Sequence, residues 1–294
     1  MTHGVADIRH RSVVLRVRRE CAATRRASAS PHSTARAIMK PSPWLVRSGN
    51  SEHARLRLFA FPFSGGSASS YASWRKWLSP QVELLCVQPP GRGMRMAEPL
   101  IRDIDALLTQ LLPELLPLLD RPYLLYGHSN GALMAFSAAN RLLQLGAPAP
   151  RAIALSAKCS PTVDRPRERV SELPDDRFLA KLRSLDGTPR ELLNDPEVMQ
   201  LFFPALRADF ALGENFRLPP LHPDLARIPA LILAGEQDET RVEDVFAWGD
   251  LFADAQRAAM TGGHFFINTN PGFARKLDAF VRAHCAPQTE PVPG

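Results

Sequence analysis

The sequence is poor in sulfur and tyrosine and has no long hydrophobic run. It holds four cysteines, Cys21, Cys86, Cys159 and Cys285, and no C-x-x-C pair. That excludes a disulfide framework and a cysteine zinc ribbon, and it fits a reducing, cytoplasmic compartment. No stretch of 18 apolar residues occurs, so neither a transmembrane helix nor a membrane partner is expected. There is no H-E-x-x-H, no P-loop and no G-x-G-x-x-G opening a βαβ unit. Metal and nucleotide cofactors are therefore not expected, and Pro89-Pro-Gly-Arg-Gly93 reads as a plain loop. What remains is ordinary for a globular chain of 294 residues, 45% hydrophobic and 22% charged, long enough for a sizeable core.

The net charge of +6 is confined to one segment. Residues 1–39 carry eight arginines (Arg9, Arg11, Arg16, Arg18, Arg19, Arg25, Arg26, Arg36) against Asp7 and Glu20, which is the whole excess. The remainder balances to zero, so the folded body gives no reason to expect a nucleic-acid partner. Three readings fit the leader: a transit peptide, a basic arm, or an unstructured extension ahead of Met39. The last is preferred, because the segment has no apolar periodicity on which to fold. A disordered basic leader over 1–38, one domain over 39–286 and a disordered tail over 287–294 are expected.

From Leu56 onward strands alternate with helices. Apolar runs at 56–61, 82–88, 123–126, 152–155 and 230–234 read as strands. Helical patterns cover 104–119, where Pro113 and Pro117 predict a kink or early stop, and 131–145, 243–252 and 271–284. Strands apolar on both faces imply a mostly parallel central sheet with helices on both faces, its polar sites at the strands' carboxyl ends. Residues 160–225 break the alternation with helical segments alone, which reads as a lid insertion. The stripe Val198, Leu201, Phe202, Ala205, Leu206 is expected to be ordinary helix packing.

Chemistry concentrates in a few turns. Gly127-His-Ser-Asn-Gly131 lies directly after a short apolar strand and before a helix, the setting of a nucleophile elbow with Ser129 exposed at its tip. A serine hydroxyl needs a base, and in this fold the acid and then the histidine follow the serine along the chain. Gly262-Gly-His264 supplies His264 before the last helix. The acid lies in Gly235-Glu-Gln-Asp-Glu239. Asp238 is preferred, since it can turn back toward the imidazole, whereas Glu236 would point with the strand and Glu239 away with the next helix. Oxyanion donors are expected from the backbone N–H of Asn130 and from that of Ser64, or Phe63, in the Phe61-Pro-Phe-Ser-Gly-Gly66 turn.

From about Trp44 to His284 the chain resembles the type II thioesterases that accompany polyketide and nonribosomal-peptide synthases, of the α/β-hydrolase fold. The resemblance lies in the Phe61–Gly66 turn, in Gln88-Pro-Pro-Gly-Arg92 followed by Glu98-Pro99, and in Gly127-His-Ser-Asn-Gly-Ala132. It continues in Leu206-Arg-Ala-Asp-Phe210, Gly235-Glu-Gln-Asp238 and Gly262-Gly-His-Phe265. The chain departs from that family where His-Ala is common and Phe63-Ser64 stands, and where Met is common and Asn130 stands. The resemblance implies a triad of Ser129, Asp238 and His264, a mobile lid, and hydrolysis of acyl thioesters on the phosphopantetheine arm of a carrier protein, as an editing step. A monomer is expected. A carboxylesterase or chain-releasing cyclase on the same triad is the alternative, and a non-catalytic binding module a further one. With a neutral body, steering of an acidic carrier would fall to local arginines such as Arg92, Arg95 or Arg207.

Overall fold

The computed structural model describes residues 42–48, 53–165, 168–185, 187 and 193–285. The expected leader and tail lie outside them. Seven strands form one sheet: β1 (Leu45–Ser48), β2 (Leu56–Phe61), β3 (Val82–Val87), β4 (Tyr123–His128), β5 (Ala152–Ser156), β6 (Ala230–Gly235) and β7 (Ala255–Met260). Their order is β1-β3-β2-β4-β5-β6-β7, and only β1 runs antiparallel to its neighbour. Among the described residues the α-helices are α1 (Ile104–Leu115), α2 (Asn130–Gln144), α3 (Asp175–Ser184), α4 (Pro196–Glu214), α5 (Val242–Phe246), α6 (Phe266–Thr269) and α7 (Pro271–Ala283). The chain has the α/β-hydrolase architecture. Among the described residues no helix is long and apolar enough to cross a membrane.

The period of two along each strand divides the core. In β2, Leu58 and Ala60 face one layer with Tyr71, Trp74, Tyr126, Phe273 and Leu277. Phe59 and Phe61 face the other, with Leu107, Leu111, Leu133 and Phe136 of α1 and α2. Both faces of the central strands are therefore dry, which is why those strands are continuous apolar runs in the sequence. The edges are not legible that way. β7 is Ala-Gln-Arg-Ala-Ala-Met with Met260 its one buried residue, and β1 is four residues long. α1 does not stop at Pro113. It continues to Leu115, because Leu111, Leu112 and Leu115 are all buried and their packing offsets the missing hydrogen bond.

The insertion between β5 and β6 carries α3 and α4 and packs first on itself, through Phe178, Met199, Phe203 and Leu206. Here the expected stripe needs correction. Leu201 is 65% exposed, and Met199 and Phe203 take the buried face with Leu206. The true row is offset because the helix packs on α3, which a 3.6-residue period alone does not reveal.

Beneath the sheet's amino-terminal ends lies a buried charge cluster. Glu83 accepts from Arg57 (2.8 Å) and Arg47 (2.7 Å), and Arg57 also donates to the Leu118 carbonyl and to Asp120. Glu83→Gln should lower the unfolding free energy by about 3 kcal/mol, because it leaves Arg57 buried without its closest fully buried counter-charge. A urea titration with unchanged midpoint would show that Asp120 alone suffices.

Candidate active site

The site begins where β4 hands over to α2. Ser129 sits at φ 54°, ψ −126°, outside the ordinary regions for a residue with a side chain. Such a backbone costs about 1–3 kcal/mol and persists only where its surroundings dictate it. They do so here. A Cβ at Gly127 would overlap the Gly131 carbonyl, and one at Gly131 would overlap the Phe61 carbonyl of β2. The Ser129 N–H is tied to the Ser156 carbonyl of β5 at 2.8 Å. The hydroxyl is thus held above the sheet, at the start of a 15-residue helix.

His264 lies between β7 and α6. Its Nε2 is 3.0 Å from Ser129 Oγ, and its Nδ1 is 2.8 Å from Asp238 Oδ2. Asp238 is 1% exposed at its side chain and accepts the Thr240 N–H with its other oxygen at 3.0 Å. The other two acids of that turn go elsewhere. Glu236 accepts from Thr261 Oγ1, and Glu239 pairs with Lys181 of the lid at 2.6 Å, which lowers its pKa. The three residues singled out from the sequence therefore stand in one hydrogen-bonded line. With Nδ1–H donating to the carboxylate, Nε2 is left to accept the serine proton.

The two segments expected to carry the oxyanion donors lie side by side next to Ser129. Asn130 is the first residue of α2, and its Nδ2 donates to Ser64 Oγ at 2.9 Å, so the two segments touch. Among the described residues neither the Ser64 nor the Asn130 backbone N–H has a protein acceptor. Both residues line, with Ser129, His264 and Phe63, a cavity of about 360 Å³ that extends under the lid past Lys158 and Leu206.

Sequence reasoning missed three parts of the site. Arg92 and Asp209, which stand in two separate motifs, form a bidentate pair at 2.7 Å on both arms. Lys158, after β5, donates to Asn130 Oδ1 at 2.6 Å. His128 is fully buried, shares a hydrogen bond with Ser156 Oγ at 2.8 Å, and lies tilted against His264 with ring centroids 5.3 Å apart. The arginines expected to steer a carrier must also be corrected. Arg92 is spent on Asp209, and Arg95 on Glu98, the Gln88 carbonyl and the Trp44 ring. Arg207 is held by Asp175, the Ser171 carbonyl and the Phe178 ring. Arg92 and Arg95 are buried struts and Arg207 is partly covered, each with its charge already engaged within the fold.

A strained serine elbow after a parallel strand, with imidazole and carboxylate in line behind it, defines a serine hydrolase of the α/β-hydrolase fold. Residues 56–281 match the Thioesterase domain family model, and the chain belongs to that family: it is a hydrolase of thioester bonds. Among relatives, it is 34% identical to "Thioesterase PikA5" of Streptomyces venezuelae, over 76% of this chain and 80% of that one. It is 35% identical to "Linear gramicidin dehydrogenase LgrE" of Brevibacillus parabrevis, over 79% and 89%. The fold matches the type II thioesterase BorB from the borrelidin biosynthetic cluster, with TM-score 0.74 and 30% identity over 84% of this chain and all of that one.

The buried His128 sets a pH dependence of stability. Burial, and secondarily the neighbouring His264, holds its pKa well below 6.5, so it stays neutral in the fold. Below about pH 6.5 the unfolded chain takes up a proton that the folded one refuses, and stability falls by up to about 1.4 kcal/mol per pH unit from this residue alone. Between about pH 7 and about pH 5, His128→Gln should lose less Tm than the wild type. Equal losses in both would assign the acid sensitivity elsewhere.

Proposed function

We propose that this protein removes acyl groups from the phosphopantetheine arms of carrier proteins in polyketide or nonribosomal-peptide synthesis, clearing stalled or aberrant chains. The observation that carries the reading is the line Asp238–His264–Ser129 opening into a cavity also lined by Ser64 and Asn130. Relatives named for biosynthesis of gramicidin S, cadicidin and anguibactin support the biological setting. The low cysteine count, four in 294 residues with no C-x-x-C pair, fits a reducing cytoplasm. The protein acts as a monomer in this reading.

The chemistry has two acyl transfers. In the first, Ser129 Oγ attacks the thioester carbonyl as His264 Nε2 takes the hydroxyl proton. The tetrahedral oxyanion is held by the Ser64 and Asn130 N–H groups and by the positive end of α2. Collapse expels the pantetheine thiolate, which takes the proton from His264, and leaves an acyl ester on Ser129. Water then attacks that ester, His264 accepting its proton and returning one to Ser129 as the carboxylic acid departs. Asp238 holds the imidazole tautomer throughout and stabilises the imidazolium.

Activity on an acyl thioester should fall by about 10⁴-fold or more in Ser129→Ala and His264→Ala, and by somewhat less in Asp238→Asn, while Glu236→Gln stays near the wild type. Damage from Glu236→Gln with a harmless Asp238→Asn would reassign the acid. Carrier-bound acyl groups should react with higher kcat/KM than the same groups on a short thiol mimic, because binding far from the reacting carbon orients the arm. Intact-mass analysis of the loaded carrier reads this directly. Equal or better kcat/KM on the mimic, or on an oxygen ester, would favour the carboxylesterase, and a macrocyclic product would favour the cyclase.

A further inference from the structure

The lid helix does more than cover the cavity. Leu206, Asp209 and Gly213 of α4 stand at i, i+3 and i+7, on one face of the helix. That face lies against both segments that carry the oxyanion donors. Leu206 packs so closely on Gly65 that a Cβ there would come within 2.7 Å of its Cδ2. Gly213 lies against the Asn130 amide, with no room for a side chain between them. Between these two contacts sits Asp209, 2% exposed. Its carboxylate accepts the Gly65 N–H at 2.7 Å, and its backbone carbonyl accepts Asn130 Nδ2 at 2.6 Å.

We propose that Asp209 is a positioning residue for the oxyanion hole, holding the Ser64–Gly65 segment and Asn130 in the placement that aims their N–H groups at one point. The inference rests on the reading of Ser64 and Asn130 as the donors. Gly65 adopts φ 77°, in the left-handed region, and the Asp209 carboxylate grips the N–H of that residue. Only the torsions of Ser64 separate this anchored peptide from the one that carries the Ser64 N–H. Asn130 is anchored from the other side by the same residue and by Lys158.

The electrostatics fit this role. A bare carboxylate here would repel a developing oxyanion. Arg92 neutralises it through two 2.7 Å contacts and also donates to the Gly66 carbonyl at 3.1 Å, closing the far end of the same turn. A buried pair of this kind adds little net stability over a well-packed apolar pair, so stability alone does not account for placing it there. What it supplies is direction, through bonds that a hydrocarbon contact cannot make. Because Asp209 belongs to the lid insertion, withdrawal of α4 would release both donor segments together. The hole is then assembled only when the lid helix is seated, which couples covering of the cavity to competence for acyl transfer.

The test compares Asp209→Asn with the wild type, using an acyl N-acetylcysteamine thioester and an alkyl boronic acid that forms a tetrahedral anion on Ser129. The variant should lose about ten- to hundredfold in kcat, and boronate affinity should weaken by a similar factor, while KM stays within about threefold. Unchanged kcat and boronate affinity in the folded variant would overturn the proposal, as would a rise in KM alone. If Asp209→Asn does not fold, Asn130→Ala carries the same test. It cuts the link at the second donor segment and should show the same parallel loss in kcat and boronate affinity, and no loss would overturn the proposal. Ser129→Ala is assayed alongside. If it keeps wild-type turnover, the nucleophile reading itself has failed, an outcome distinct from failure of the lid link.

Discussion

The structure depends on one steric constraint, the crossing of α2 over the carboxyl ends of β2 and β4. Neither Gly127 nor Gly131 has room for a Cβ, the first because of the Gly131 carbonyl and the second because of the Phe61 carbonyl. This crossing forces Ser129 into its strained conformation and starts the helix at the next residue. It also brings the end of β2 against the first turn of α2, so that the turn after Phe61 stands beside Asn130. The placements of Ser129, the helix N-terminus and the turn after Phe61 are therefore consequences of a single close approach. The strain at Ser129 is sustained by the packing of Phe61, Ala132 and Phe136 below it, all fully buried.

From that crossing the parallel sheet distributes the other groups. β5 ends beside the elbow, and its Ser156 carbonyl holds the Ser129 N–H. β6 and β7 end next, and the turns after them carry Asp238 and His264. Hydrogen bonds from Glu236 N to the Met260 carbonyl (2.9 Å) and from Gln237 N to the Gly262 carbonyl (3.0 Å) lock the two turns together. Strand register thus becomes the 2.8 Å contact between carboxylate and imidazole, although the two residues are 26 positions apart. Elements far apart in the chain can hold that contact because they are neighbours in a rigid sheet, a placement tighter than free loops would give.

What can be read from the sequence follows the same physics. The five inner strands are legible because both their faces are dry. The elbow is legible because a serine between two glycines, at the junction of an apolar strand and a helix, is what a turn too tight for neighbouring side chains requires. The histidine and the acid follow from chain order. β1 and β7 are not legible, since an edge strand needs no apolar alternation, and β7 places Gln256 and Arg257 near solvent. Of the kink or early stop expected at Pro113 and Pro117, the helix runs through Pro113, where leucine packing outweighs a local rule, and stops short of Pro117 in a 3-10 turn. The Arg92–Asp209 pair is hidden for a different reason. Its partners are 117 positions apart, and each reads alone as a surface charge. Pattern along the chain reports burial well, but it does not report which buried charge meets which.

Two buried guanidinium–carboxylate pairs, one at each end of the sheet, show how the same interaction serves different ends. Arg57 and Glu83 sit at the starts of adjacent strands β2 and β3, and their partners Arg47 and Asp120 belong to the body. Nothing that moves relative to the sheet takes part, so this pair can only brace the strands' entry. Arg92 and Asp209 are about equally deep but join the body to the inserted helix α4. Both pairs carry a desolvation cost that their attraction roughly offsets, so neither is explained by net stability. They differ in what each would release on breaking. Loss of the first loosens one end of a sheet whose inner strands are paired on both sides. Loss of the second removes the ion pair that ties α4 to the turn ending at Gly66. Placed at the carboxyl ends of the strands, an ion pair of little stabilising value becomes the joint that connects the cover of the cavity to the turn beside Ser129.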